Sequence, residues 1–408
     1  MRFIFSVIFV FLMVFYVKIP VVSNSLVFVF ILSLFFSLRE NVVYKGACYY
    51  FLSKRYIRFV FLFYFIPLFY YAYLTVFNGS YDFSFIGMAS KNLFYIFICL
   101  FSSLCLFSFL PKEKFQLVML AVFSIQSCII IFLFFNNEYI QYVNVFQSDS
   151  SVLVSSDERI FGIRGLALSN QQYFGLAVVY CIVFVFIVYE SQKMRSAITI
   201  LPFLCLFLVS GLTIARTVLV GFIISVLLLL VILNFRQRIV LLLSLLLFMS
   251  VFASAFSDYL YDHFNHFYSW AFEFFINKGE SASTNRLMEM YDKLTLDSSF
   301  WGEGRYVNSD GTFYNHVDSG LLRLWFAIGI FSILPSIFTL CIIYEISILY
   351  RALGYKYSNS LLVFTSCLVL LLQVKGEVIG HHTGVNVVLI LYHVQLKYRI
   401  KFNSSEGA

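Results

Sequence analysis

The sequence predicts an all-α polytopic membrane protein with about twelve transmembrane helices and one large outer loop. Three observations predict this fold class. Hydrophobic residues make up 61% of the chain and charged residues only 12%, which leaves too little polar surface for a soluble domain. The apolar runs are continuous and do not alternate with period two, so helices are favoured over a barrel. The basic residues also collect on one side of these runs.

The predicted spans fall near residues 3–17, 21–38, 57–77, 92–110, 115–135, 166–189, 196–214, 217–234, 239–256, 319–344, 358–374 and 378–396. With both termini inside, the inner links hold 17 of the 28 basic and five of the 21 acidic residues, a net charge of +12. The outer side then carries a net charge of −5. This separation predicts the topology, and it means that the basicity of the chain gives no reason to expect a nucleic-acid partner.

One of the predicted outer connections is a tight hairpin around Arg216. Residues 197–234 are almost continuously apolar and about twice as long as one span requires. Arg216 is the only charged residue in this run. Because a cation at the centre of a span costs about 2.5–3.5 kcal/mol, the sequence predicts two helices with Arg216 at their outer apex.

Two further outer segments interrupt what is otherwise a single predicted transmembrane domain over residues 1–408. The smaller covers 136–165, and the larger covers 257–318. Within the larger loop the sequence predicts an interfacial helix over 258–278 and a short helix capped by Ser283 or Thr284. Turns are predicted at 302–304 and 308–311, and the next span opens at 318–320.

Arginine recurs on the predicted outer face, at Arg159, Arg164, Arg216, Arg286, Arg305 and Arg323. A guanidinium binds phosphate oxygens in pairs and keeps its proton, so these residues suit an anionic lipid-linked substrate. The alternative is that each pairs with a loop acid or a lipid headgroup. Because Arg216 has no acid near it in sequence, it is the strongest functional candidate.

His316 and Asp318 lie where the large loop returns to the membrane, and either could accept a proton from a sugar hydroxyl. The alternative is that Asp318 only caps a helix and His316 only occupies the loop surface. His263 and His266 share a helical face, but no third metal ligand can be identified. We therefore expect neither a metal nor a cofactor, and the cysteine positions predict no disulfide framework.

Three segments together resemble the superfamily of bacterial O-antigen polymerases (Wzy-type) and O-antigen ligases. The first is RGLALSNQQYFGLAVV (Arg164–Val179), and the second is the hairpin SGLTIARTVLVGF (Ser210–Phe222). The third is Arg286 followed by a Gly-x-Gly turn and by HVDSG at the start of a span. The chain departs from the pattern at Ala215, where relatives often have Ser, and at Val317, which separates His316 from Asp318.

The resemblance implies a metal-independent glycosyltransferase of the GT-C class, acting on undecaprenyl-diphosphate-linked oligosaccharides. It implies the periplasmic face of the bacterial inner membrane, cytoplasmic termini, contact with membrane lipid and a chain-length regulator protein as a partner. Arg164, Arg216, Arg286 and Arg305 would bind the diphosphate, and Arg216 would act in catalysis together with His316 or Asp318.

Two rival functions remain open on the sequence. An O-antigen ligase would transfer the glycan to lipid A core, although ligases usually carry a His-Asn pair that this chain lacks. A transporter or flippase would move a lipid-linked oligosaccharide, but such proteins usually show internal repeats and charges inside the bundle. Neither feature is evident in the sequence.

Overall fold

A computed structural model describes most of the chain. The described residues are 2–19, 24–39, 61–109, 114–147, 168–171, 173–193, 197–248, 250, 282–292, 300–378 and 382–405. Within these residues the fold is all-helical, which confirms the all-α part of the prediction, and the only β-pairing is one isolated bridge between Val307 and Phe313. The predicted interfacial helix over 258–278, most of the 136–165 loop, Arg159, Arg164, His263, His266 and His381 lie outside the described residues.

The main helices are α1 (Arg2–Phe15), α2 (Ser25–Arg39), α3 (Ile66–Phe77), α4 (Ser84–Phe109), α5 (Phe115–Phe135), α6 (Tyr173–Glu190), α7 (Leu201–Ile214), α8 (Val218–Ile232), α9 (Ala282–Asp292), α10 (Gly320–Ile328), α11 (Ile333–Ala352), α12 (Ser358–Lys375) and α13 (Thr383–Ser405). A π-helical turn, Phe61–Phe65, precedes α3, and residues 235–248 are also helical. Among the described residues, five helices are long and apolar enough to cross a membrane, and five shorter apolar helices accompany them.

The chain divides into two compact units. The second unit, Met119–Arg286, contains α6, α7 and α8. Apolar residues cover every side of α6, and Gly175–Glu190 are buried without interruption. Gly221 of α8 lies so close to α6 that an added Cβ would be 2.5 Å from the Cα of Cys181. This close packing explains why the sequence shows no polar face on α6.

The predicted hairpin around Arg216 is confirmed as a break between two helices. Helix α7 ends at Ile214, a turn occupies 215–217, and α8 begins at Val218. Ala215 adopts an extended conformation, which ends the helix without a glycine. The guanidinium-bearing residue is therefore at an apex and not in the middle of a helix.

The first unit, Met1–Val118 and Leu287–Ala408, holds α1 to α4 and α10 to α13, whereas most of α5 belongs to the second unit. Its core includes Tyr71, Phe85, Tyr306, Leu324 and Ile328, so the large loop contributes a residue to the interior. A second apolar cluster joins Met290 of α9 to Val317, Leu322 and Phe326. The loop is thus packed against helices on two sides.

Candidate functional site

The site begins with a helix that breaks at Gly329. The sequence predicts one span over 319–344, but the structure separates α10 from α11 by a 3₁₀ turn, Gly329–Ser332. The break frees two carbonyl groups of α10, and the loop satisfies them. The N–H of Glu303 donates to Phe326 O at 2.6 Å, and that of Gly304 donates to Ala327 O at 3.2 Å. The loop therefore replaces the hydrogen bonds that the interrupted helix lacks.

Gly329 permits this arrangement for two physical reasons. Its φ angle is +56°, a left-handed conformation that side chains disfavour. A Cβ at this position would also lie 2.3 Å from the carbonyl oxygen of Phe300. The three atoms nearest to this Cβ are all backbone atoms, so no change of side-chain rotamer could make room for it. The loop can pack on the broken helix only because residue 329 is glycine.

Asp82 fixes the next part of the loop from the turn that precedes α4. One carboxylate oxygen accepts the N–H of Tyr306 at 2.6 Å and that of Val307 at 2.8 Å. The other accepts both the backbone N–H and the hydroxyl of Ser84. Burial raises the pKa of Asp82, but the hydrogen bonds from Ser84, Val307 and Tyr306 outweigh this effect and bring the pKa below its ordinary value of 3.8.

Replacing Asp82 is expected to loosen the loop. In Asp82→Asn, one amide oxygen cannot accept all four hydrogen bonds, and we expect a loss of about 1–3 kcal/mol in unfolding free energy at neutral pH. Because the folded-state pKa is depressed, this stabilisation is present above the ordinary pKa and is lost as the pH falls through the folded-state value. The difference in thermal midpoint between the parent protein and Asp82→Asn should therefore close below about pH 4.

Asp310→Asn is the matched control for this prediction. Asp310 also accepts a backbone N–H and a hydroxyl, both from Thr312, but these bonds are local and fully exposed. We expect a small change in midpoint. An Asp82→Asn protein as stable as Asp310→Asn throughout the pH range would show that Asp82 does not hold the loop.

Arg323 of α10 is the centre of the polar cluster. Its guanidinium carbon lies 3.3 Å from the ring centroid of Phe313, which is a close cation–π stack. Its Nε donates to Val317 O at 3.0 Å, and Nη2 lies 3.4 Å from a carboxylate oxygen of Asp318. Nη1 lies 3.9 Å from Oε2 of Glu377. One guanidinium, only 12% exposed, thus faces two carboxylates at once.

Glu377 is the buried carboxylate of the cluster. The Tyr306 hydroxyl donates to its Oε2 at 2.5 Å, while its Oε1 is buried and has no hydrogen-bond partner among the described residues. Gly320 brings α10 against this segment, since an added Cβ there would lie 2.4 Å from the Cα of Glu377. Burial raises the pKa of Glu377, and the hydrogen bond from Tyr306 and the nearby charge of Arg323 offset this only in part.

This pKa direction predicts that Glu377 costs stability at neutral pH. As the pH rises above 4.5, the ordinary value, the unfolded state ionises first, and unfolding becomes easier. Glu377→Gln resembles the neutral acid, so its thermal midpoint should match that of the parent protein below pH 4.5 and exceed it at pH 7. A lower midpoint at pH 7 would mean that the ionised carboxylate stabilises the fold.

The remaining candidates of the first unit lie around this cluster. Arg305 is exposed, and its guanidinium lies 5.6 Å from the ring of Tyr314, whose hydroxyl donates to Glu303 at 2.6 Å. His316 is exposed with φ +54°, and its Nδ1 lies 3.4 Å from Thr312 Oγ1. The side chain of Asp318 is 52% exposed and pairs with Arg323. The loop thus brings Arg305, His316 and Asp318 together on one folded segment.

The other predicted residues belong elsewhere. Arg216 is half-buried in the turn between α7 and α8, and Arg286 is exposed on α9; both belong to the second unit. Arg164 lies outside the described residues. The predicted short helix is present as α9, but the predicted cap is wrong, because the helix begins at Ala282 and Ser283 and Thr284 lie inside it. The predicted diphosphate-binding set of arginines stays a prediction.

Sequence reasoning missed three parts of the cluster. It placed none of Asp82, Tyr306 and Glu377 among the site residues. A signal for Asp82 was present, because an acid two residues before Ser84 is typical of a side chain that caps a helix start. No local pattern indicates that Tyr306 is buried, since its partners are distant in sequence.

A scan against protein-family models finds no match for this chain. Searches of curated proteins and of solved structures likewise find no significant match.

Proposed function

We propose that this chain is an O-antigen polymerase of the Wzy type. It would span the bacterial inner membrane about twelve times with both termini in the cytoplasm, and it would adopt a GT-C-like fold. It would join undecaprenyl-diphosphate-linked oligosaccharide repeat units at the periplasmic face. The proposal rests on the three ordered sequence motifs and on the polar segment 300–318.

The observation that carries the proposal is the way this segment is held. A loop that merely linked two spans would need neither a broken helix nor a buried carboxylate beneath it. Here the backbone of 300–304 is bonded to α10, and Asp82 fixes 306–307. The result is a rigid platform that carries Arg305, His316 and Asp318 at the end of apolar helices, as transfer from a lipid-linked donor requires.

The proposed reaction transfers the growing glycan from one lipid diphosphate to a sugar hydroxyl of the next repeat unit. The hydroxyl oxygen forms a bond to the anomeric carbon as the bond to the diphosphate breaks, and its electron pair leaves with the diphosphate. Arg216 and Arg286, with Arg164 and Arg305, would hold that leaving group and stabilise its charge. The hydroxyl proton passes to His316 or Asp318.

Of the two candidate bases, we favour His316. The carboxylate of Asp318 is already engaged in an ion pair, because Arg323 lies 3.4 Å from one of its oxygens. His316 is exposed, and histidine is the side chain that enzymes use most often in general acid–base catalysis. In this assignment Asp318 positions Arg323, which in turn stacks on the loop through Phe313.

Deletion of the gene and a lipopolysaccharide gel test the function. Loss of a polymerase leaves core carrying one repeat unit, whereas loss of a ligase leaves bare core. Complementation with His316→Ala should leave the one-unit band if the chain is a polymerase and His316 is its base. Bare core in the deletion strain would favour the ligase instead. Unchanged long chains would exclude both enzymes.

A further inference from the structure

A stripe of exposed apolar side chains follows one face of the π-helical turn and α3. Leu62, Phe65, Phe69, Tyr73 and Phe77 recur at helical spacing, and each is exposed. Helix α11, which packs beside the π-helical turn, also exposes apolar side chains, Ile333 and Ile337. A contiguous apolar surface on a helix of a membrane protein marks contact with a partner that offers no hydrogen bonds.

At the end of α3 the exposed surface becomes aromatic and includes the large loop. We name Tyr73, Phe77, Tyr81, Phe83 and Trp301 the aromatic collar. Their exposed fractions range from 51% at Phe83 to 73% at Phe77, so none is a core residue. The rings of Tyr73 and Phe77 stack at 5.5 Å.

Trp301 belongs to this collar because three hydrogen bonds tie its segment to the end of α3. The Tyr70 hydroxyl donates to Trp301 O at 2.7 Å, and the Asn78 amide donates to Glu303 O at 3.0 Å. The Ser80 hydroxyl donates to Gly304 O at 2.7 Å. The backbone that carries the exposed indole is therefore held beside the C-terminal part of α3.

Polar groups lie immediately beyond the collar. Asn78, Asp82, Glu303 and Arg305 all belong to the turn after α3 or to the loop bound to it. Along α3 towards the large loop, the exposed side chains are thus first aliphatic and aromatic, then aromatic in the collar, and then polar or charged. A helix that passes from acyl chains through the headgroup region into water shows this order, with Trp and Tyr at the boundary.

We propose that the aromatic collar lies in the headgroup region of the bilayer and that segment 300–304 is therefore held at the membrane surface. The partner is the lipid bilayer itself, with acyl chains against the stripe and headgroups against Trp301. A glycan could also stack on exposed aromatic rings. The exposed aliphatic residues Leu62, Ile333 and Ile337 favour lipid, because these side chains offer a sugar neither a ring face nor a hydrogen bond. The inference does not depend on the proposed enzymatic function.

Depth-dependent quenching of Trp301 tests the proposal. Replacing Trp270 and Trp325 by Phe leaves Trp301 as the only tryptophan, and the full-length protein is reconstituted in phosphatidylcholine vesicles. Lipids brominated near the headgroup end of the acyl chain should reduce its emission about twofold, as expected at an interfacial depth. Lipids brominated near the acyl terminus should have a smaller effect.

Two positions calibrate the depth in a protein without other tryptophans. Phe69→Trp lies along the stripe and should respond most to the deep bromines, whereas Asp310→Trp lies in an exposed polar turn and should respond weakly to either. If Trp301 were quenched no more than Asp310→Trp, the collar would face water and the proposal would be wrong. Emission that changed only with a soluble oligosaccharide would identify a glycan subsite instead. If the two-Phe protein does not fold, the quenching lost between the parent protein and Trp301→Phe gives the same reading.

Discussion

Arg216→Ala is expected to abolish long-chain glycan while the protein still inserts and folds. In the proposed mechanism the guanidinium at this apex binds the diphosphate as its charge develops. Removal of one such preorganised donor typically costs about 10²–10³ in rate. Each added repeat unit requires one transfer, so a loss of rate at every transfer compounds with chain length. The gel should therefore show core with one repeat unit and no ladder.

Two variants make this result specific. Arg216→Lys keeps the charge but loses the planar pair of donors, so it should restore short chains only. Arg236→Ala removes an exposed arginine beyond the far end of α8 and should leave the ladder intact. Full-length chains in an Arg216→Ala strain with normal protein level would remove Arg216 from the mechanism. Loss of the ladder in Arg236→Ala as well would point to a general effect of charge.

Gly329→Ala is expected to disrupt the platform severely, although it adds only one methyl group. The added Cβ would lie 2.3 Å from Phe300 O and 2.5 Å from Gly302 N, so the loop backbone must move away from α10. That movement breaks the bonds from Glu303 and Ile330 across the helix break. We expect destabilisation above about 4 kcal/mol, the range reserved for loss of a specific structural feature.

Gly79→Ala measures the cost of backbone strain alone, without a steric contact of the added methyl group. Gly79 has a similar φ, +66°, but an added Cβ there meets nothing within 4 Å. Its cost should be only that of a left-handed residue, about 1–2 kcal/mol. Thermal unfolding of the purified proteins, with protease sensitivity of the loop as a second readout, compares the two. Equal costs would mean that the approach of the loop to Gly329 does not matter.

Much of the helical arrangement is predictable from composition. The predicted span 115–135 coincides with α5, and 358–374 differs from α12 by one residue. Both are bounded by charged links, so the apolar window has clear ends. Helix α4 begins at Ser84 and not near 92, because its first turns contain polar residues that lower the hydropathy without ending a helix.

The break at Gly329 was not predictable, because its cause is remote. The run from 319 to 344 is mostly apolar, with Arg323 as its one charged residue, and an isolated glycine inside such a run is usually tolerated. What breaks the helix is the approach of Phe300, a residue on a different segment. Likewise, Asp82 binds Tyr306 across a separation of 224 residues, which no local pattern can show.

The predicted site residues also differ in whether their contacts are local or remote in sequence. His316, Asp318 and Arg305 are close in sequence, and their shared loop keeps them close in the fold. Glu377 joins them from another chain segment, through Arg323, and its position between two predicted spans did not indicate this contact. A buried carboxylate that costs stability is a common feature of functional sites, and here it lies beneath the predicted catalytic loop.

Elongation by the purified protein is the most direct test of the account. Full-length protein in detergent or nanodiscs is supplied with undecaprenyl-diphosphate-linked repeat units, without nucleotide sugar or added metal. Mass analysis should reveal glycans that grow by whole repeat units, with release of undecaprenyl diphosphate, and no growth with Arg216→Ala. The contrary result would be that the folded, purified protein returns only single repeat units, while membranes that contain this protein elongate the same substrate. The chain would then not be the polymerase.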